Sequence, residues 1–192
     1  MNIACWVTAF VAAACLSGCS RHAGAGAPSA RSGLTSCLPA QDGYLRARLR
    51  GASNLDIDWH GDQLRCDGDP RPDNRGIRLT FAGLAQPGNH PLRFVFGIDA
   101  APVAGIAHNL ATNVTVIFEG ERKLYSTRGA GNCTVDELRQ EPIDVSAADG
   151  RLRVSARGFC IAPATAIGGG DDELLLSRFD FTGLVLTAAA NK

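Results

Sequence analysis

Between Cys37 and Ala188 the chain is a succession of short alternations of apolar and polar residues, broken by Gly, Asn, Asp and Pro. Leu45-Arg46-Ala47-Arg48-Leu49-Arg50 alternates apolar with cationic, and Leu55-Asp56-Ile57-Asp58-Trp59 alternates apolar with anionic. A period of two marks a β-strand with one face buried. Gly51-Ala52-Ser53-Asn54 between the two runs makes them a hairpin. Keeping both apolar faces together allows two registers. One opposes Arg46 to Asp58 and Arg48 to Asp56; the other opposes Arg48 to Asp58 and Arg50 to Asp56. Either lays an arginine row against an aspartate row on the wet face, which fixes register more than it stabilises.

Further strands are expected at Ile77–Phe81, Leu92–Ile98, Val114–Phe118, Lys123–Thr127, Cys133–Leu138, Leu152–Ile161 and Leu174–Leu186, with a turn at Glu119-Gly120-Glu121. In the last of these Phe179 and Phe181 are odd whereas Leu184 and Leu186 are even, so a bulge is expected at Gly183. His108 to Ala111 and Asp136 to Gln140 have the spacing of single helical turns, and no capped helical period of any length is present. The pattern predicts an all-β fold, a single antiparallel β-sandwich or barrel of about seven to nine strands. Trp59, Phe94, Phe96, Phe179 and Phe181 fall on its buried faces.

The first part of the chain has a different pattern. The fourteen residues Ile3 to Leu16 carry no charge. They end at Leu16-Ser17-Gly18-Cys19, which resembles the lipobox of bacterial lipoproteins. That resemblance implies a signal peptide over 1–18, cleavage before Cys19, and palmitate and diacylglycerol on the Cys19 residue as a lipid anchor. At about 1.5 Å per residue the apolar run spans roughly 21 Å, short of the roughly 30 Å hydrocarbon core, which argues against an uncleaved membrane helix. Two or more acyl chains give stable attachment where one is marginal. In the family an aspartate after the cysteine retains the protein at the inner membrane; here Ser20 stands there, which implies the outer membrane, facing the periplasm or the surface. Residues 19–36 are Gly, Ala, Ser and Pro with few large apolar groups and read as a flexible tether. The β domain is expected over 37–188, and 189–192 as a tail.

Composition narrows the partners. Nineteen basic and nineteen acidic side chains give a net charge of zero. No field draws the domain to nucleic acid. Of seven cysteines, Cys5 and Cys15 lie within the signal and Cys19 is the lipidation residue, leaving Cys37, Cys66, Cys133 and Cys160. An even number in an exported chain implies two disulfides, with three possible connectivities. Nearest-neighbour pairing, Cys37–Cys66 and Cys133–Cys160, closes two loops of nearly equal length and is the expectation. None of the four has zinc-ligand spacing.

Candidate chemistry is sparse. Asp56 and Asp58 are paired carboxylates of the kind a glycosidase uses, but a carboxylate facing arginine stays ionised, the wrong state for a general acid. Asp67 to Asn74 and Gly168 to Glu173 are acidic stretches without EF-hand spacing, and their composition is also that of turns. His60 stands at a strand end beside Gly61-Asp62. No nucleophile elbow, zincin motif or phosphate loop is present. No catalytic, cofactor or metal residue is therefore assigned. The expectation is a tethered domain that binds an envelope protein or glycan, the alternative a secreted hydrolase whose site assembles from residues distant in sequence.

Overall fold

The computed structural model describes residues 35–38, 42–73, 75–129, 131–143 and 150–187. The signal segment, Cys19, most of the tether and the C-terminal tail lie outside the described residues. Among the described residues there are twelve strands, beginning with β1 (Thr35–Ser36), β2 (Tyr44–Gly51), β3 (Leu55–His60), β4 (Leu64–Pro70), β5 (Ile77–Ala85) and β6 (His90–Ile98). They continue as β7 (Gly105–Phe118), β8 (Lys123–Ser126), β9 (Cys133–Pro142), β10 (Arg151–Cys160), β11 (Ala164–Ala166) and β12 (Glu173–Leu186). The one helical element among the described residues is a 3-10 turn, Gly61–Gln63. The fold is all-β, as the alternation predicts.

Every pairing is antiparallel. The order β1-β4-β5-β6-β7-β8-β11-β12-β10-β9 closes on itself because β9 also pairs with β7. The result is a closed six-strand barrel circuit, β7-β8-β11-β12-β10-β9, with the other strands outside it. The circuit arises from long strands flanked end to end by short ones. β7 takes β8 along Thr115–Phe118 and β9 along Gly105–Thr112. On the opposite side β12 takes β11 near Leu174 and β10 from Phe179 to Leu186. β6, β5 and β4 extend the sheet from β7, and the β2–β3 hairpin extends it from β12. β4 then returns against the C-terminal half of β12. Its Gly68 lies so close that a Cβ there would stand 2.3 Å from the Leu184 carbonyl oxygen. Only glycine fits at that crossing.

The enclosed core is aromatic. Phe81, Phe94, Phe96, Phe179 and Phe181 are fully buried, and Trp59 enters from the hairpin. Trp59 lies against Gly83, where a Cβ would stand 2.7 Å from the indole, and its ring meets Phe94 edge to face at 5.9 Å. The indole N–H donates to the Leu84 carbonyl at 2.9 Å, so the polar end of this buried side chain is satisfied. Two disulfides are present, Cys37 to Cys66 beside β1 and β4 and Cys133 to Cys160 within the barrel. Both are the nearest-in-sequence pairs expected above. The second joins directly opposed residues of β9 and β10.

Three local expectations change. His108–Ala111 and Asp136–Gln140 are not helical turns; they lie in β7 and β9, which pair antiparallel with each other. Asp136 is an extra residue in β9, since Arg157 faces Glu137 while Gly158 faces Val135. The bulge moves the buried set from Val135 to Leu138 and Gln140, a spacing of three that imitates a helix face. The parity change in β12 falls at Ser177, not Gly183. There the register against β2 shifts between Leu176 and Arg178. Phe179, Phe181, Gly183 and Val185 all face inward, and Gly183 is small because the Phe81 ring occupies the space of a Cβ. Asp67 to Pro70, read from composition as part of a turn, belong to β4, in which Leu64, Cys66 and Gly68 supply the buried face.

Candidate functional site

The hairpin register is the one that opposes Arg46 to Asp58 and Arg48 to Asp56. With β12 alongside, the outer face of β12–β2–β3 becomes a lattice of charges. One row runs Asp180, Arg46, Asp58 and the next Arg178, Arg48, Asp56. Arg46 Nε donates to Asp58 at 3.1 Å, Arg48 Nε to Asp56 at 3.2 Å, and Arg50 Nη2 to Asp56 at 2.9 Å. Tyr44 donates its hydroxyl to Asp180 at 2.8 Å, and Arg46 lies over the Tyr44 ring at 5.2 Å. His60 Nε2 stands 2.5 Å from Asp58. The sequence-predicted arginine and aspartate rows are thus brought together.

These contacts set the protonation states. The Arg50 hydrogen bond, helped by the charges of Arg50 and Arg48, holds the Asp56 carboxyl below its ordinary value. Desolvation opposes ionisation of Asp58, but hydrogen bonds from Arg46 and His60 outweigh it, and its pKa too is lowered. Burial, then the bond to Asp180, raises the Tyr44 phenol. Asp56 and Asp58 stay ionised well below neutrality. Their ion pairs contribute above the ordinary aspartate range and are lost as pH falls through the lowered folded-state value. Exposed pairs of this kind are weak, so the expected readout is titration and not unfolding. Replacing Arg50 and Arg48 by Ala should return Asp56 toward an ordinary aspartate pKa in a carbon-13 carboxyl NMR titration. An unshifted Asp56 would show that the arginines do not set its state.

Beside this lattice lies a groove of about 620 Å³, within the size range of ligand sites. One wall is β3, from Asp56 to Trp59; the other is the end of the β5–β6 hairpin with Ala82, Leu84 and Pro91. Asp62, Arg65, Arg93 and Glu119 also line it, with Arg93 paired to Glu119 at 2.6 Å. Leu84 is 51 % exposed, an apolar side chain on the groove wall. Sequence reasoning missed this wall. The signal was there in part: Leu84 is the even apolar residue of a strand whose buried residues, Ile77, Leu79 and Phe81, are odd.

Among the described residues β3 is an edge strand that pairs with β2 alone. The Gly61 N–H donates to the Gly43 carbonyl at 3.3 Å, so the odd-numbered residues of this run turn their main chain toward β2. The even-numbered ones turn theirs outward. Gln63 accepts the outward N–H of His60 through its side chain. The N–H and C=O of Asp56 and Asp58 face the groove side without a strand partner.

The remaining sequence candidates are separate from this groove. Asp73 is held by Arg71 Nη2 at 3.0 Å and accepts the Arg75 N–H. Gly168, Gly169 and Gly170 have positive φ and Asp171 to Glu173 are exposed, a turn leading into β12. Among the described residues no three His, Cys, Asp or Glu side chains gather as metal ligands. No helix among them is long and apolar enough to cross a membrane. No protein-family model, curated protein or solved structure matches the chain.

Proposed function

We propose that the protein is an envelope lipoprotein held in the outer membrane by an acylated Cys19, and that its β domain binds an envelope protein or glycan without catalysis. The observation that carries the binding reading is the groove beside β3, which joins an unpaired strand edge to an apolar wall. Its carboxylates speak against hydrolysis. Asp56 and Asp58 are each tied to cations and held ionised, which leaves neither as a proton donor near neutral pH. Glu119 is engaged by Arg93. The anchoring reading rests on the lipobox resemblance.

Two measurements test the proposal. Mass spectrometry of the N-terminal fragment from detergent-extracted protein should show a lipid-modified Cys19; an unmodified cysteine within a longer mature chain ends the anchoring reading. A broad hydrolase screen of the same material should give no turnover. Activity that disappears when one Asp or His is changed to Ala, with circular dichroism unchanged, would replace the binder by the secreted hydrolase.

A further inference from the structure

The free edge of β3 carries a specific demand on whatever pairs with it. We propose that this edge takes up an extended polypeptide segment bearing Arg or Lys at alternate positions, added as a further antiparallel or parallel strand in the groove. The inference rests on the binding reading above and names the class of ligand.

Three observations converge. The main-chain groups of Asp56 and Asp58 face outward and have no strand partner among the described residues, and such a row is a template for strand addition. On the outer face the strand next to the edge presents arginines and β3 itself presents aspartates, Arg46 opposite Asp58 and Arg48 opposite Asp56. The next strand in the first of these rows meets an aspartate, and so does its neighbour two residues away, opposite Asp56. Like charges directly opposed destabilise a strand pair and opposite charges support it, so the incoming strand needs cations at positions i and i+2. Four carboxylates, Asp56, Asp58, Asp62 and Glu119, line the groove against Arg65 and Arg93; Asp56 and Asp58 also hold Arg46, Arg48 and Arg50 of β2, and Glu119 holds Arg93.

The residue between the two cations points to the other face of the added strand. There it continues the face of β3 that carries Ile57 and Trp59, both buried. An apolar side chain is favoured at that position. The recognised pattern is therefore cation, apolar, cation. A second copy of this chain presenting its own β3 is disfavoured, because antiparallel pairing of the two edges sets aspartates against aspartates. The chain itself contains the required pattern in β2, Leu45-Arg46-Ala47-Arg48-Leu49-Arg50, where it satisfies the opposite edge of β3.

The probe is a capped peptide with the sequence of Tyr44–Gly51, measured by fluorescence anisotropy against the full chain in detergent. It should bind at least about tenfold more tightly than the same peptide with its arginines changed to Glu, given the size of coupling between close charge pairs. Asp56→Asn with Asp58→Asn, folded by circular dichroism, should lose a similar factor, whereas Asp171→Asn with Asp172→Asn should not. A peptide N-methylated at alternate amides separates strand pairing from charge attraction, because it keeps every arginine and loses the main-chain donors; its binding should collapse. Equal binding by the methylated peptide, indifference to Asp56 and Asp58, no binding at all, or self-association of the chain through this edge would each overturn the inference. The first two would leave the domain a binder. Cleavage of the peptide, seen by mass spectrometry, would overturn the binding reading itself.

Discussion

Phe96→Ala is expected to destabilise the domain by about 3–5 kcal/mol, the range for truncating a fully enclosed aromatic ring. Phe96 has no exposed surface. Its ring centroid lies 4.8 Å from Phe181, 5.0 Å from Phe179, 6.0 Å from Phe81 and 6.3 Å from Phe94. These neighbours come from three strands, β5 and β6, which pair with each other, and β12, which pairs with neither and forms the facing wall of the aromatic core. The cavity left by the ring cannot close by a local side-chain movement, because β5 and β6 are tied to each other by a continuous ladder. A domain of this size has only about 5–15 kcal/mol in total, so the variant should unfold at a much lower urea concentration. The control is Val95→Ala on the same strand. Its side chain faces outward and is only partly buried, and its loss should cost well under 1 kcal/mol, as for other surface substitutions. A Phe96→Ala loss no larger than that of Val95→Ala would mean that the phenylalanine cluster does not hold the two walls together.

That cluster was legible from the alternation alone, and its legibility shows where sequence reading works. A strand with one buried face advertises its phase through large apolar residues, and Phe94, Phe96, Phe179 and Phe181 do so. The β2–β3 hairpin was legible for a second reason, since opposite charges on its wet face reduce the registers to two. β4 was not legible. Its buried positions are Leu64, Cys66 and Gly68, and the last has no side chain because another strand's carbonyl occupies the space. Glycine at a crossing and glycine in a turn look alike in one dimension. The bulges at Asp136 and Ser177 misled for a related reason, as an extra residue turns a spacing of two into a spacing of three. The groove beside β3 could not be read at all. It exists only because the β5–β6 hairpin, some 25 residues on from Trp59 at Leu84, returns to stand opposite β3.

Removing either disulfide is expected to cost about 3.5 kcal/mol, because the two cross-links span 29 and 27 residues and the chain-entropy model depends only logarithmically on loop length. The two losses should differ in where the structure opens. Cys133 and Cys160 sit at the end of a β9–β10 ladder that runs from there to Pro142 and Leu152. With that bond gone the strands remain paired, and the cost appears as a uniform loss of global stability. Cys37 lies beside β1, which among the described residues pairs with β4 at two positions, Thr35 with Cys66 and Ser36 with Arg65. A two-residue ladder does not order a segment by itself, since fixing each residue costs about 1–2 kcal/mol of backbone entropy. The Cys37→Ala, Cys66→Ala variant should therefore add a local effect to the global one. Hydrogen exchange at Ser36, Cys37 and Leu38 should rise toward that of an unprotected chain while the β9–β10 amides keep their protection. In the Cys133→Ala, Cys160→Ala variant exchange should rise in proportion everywhere and Cys37 should stay protected relative to the rest. Identical exchange patterns in the two variants would show that β1 is held by its contacts with β4 and not by the cross-link.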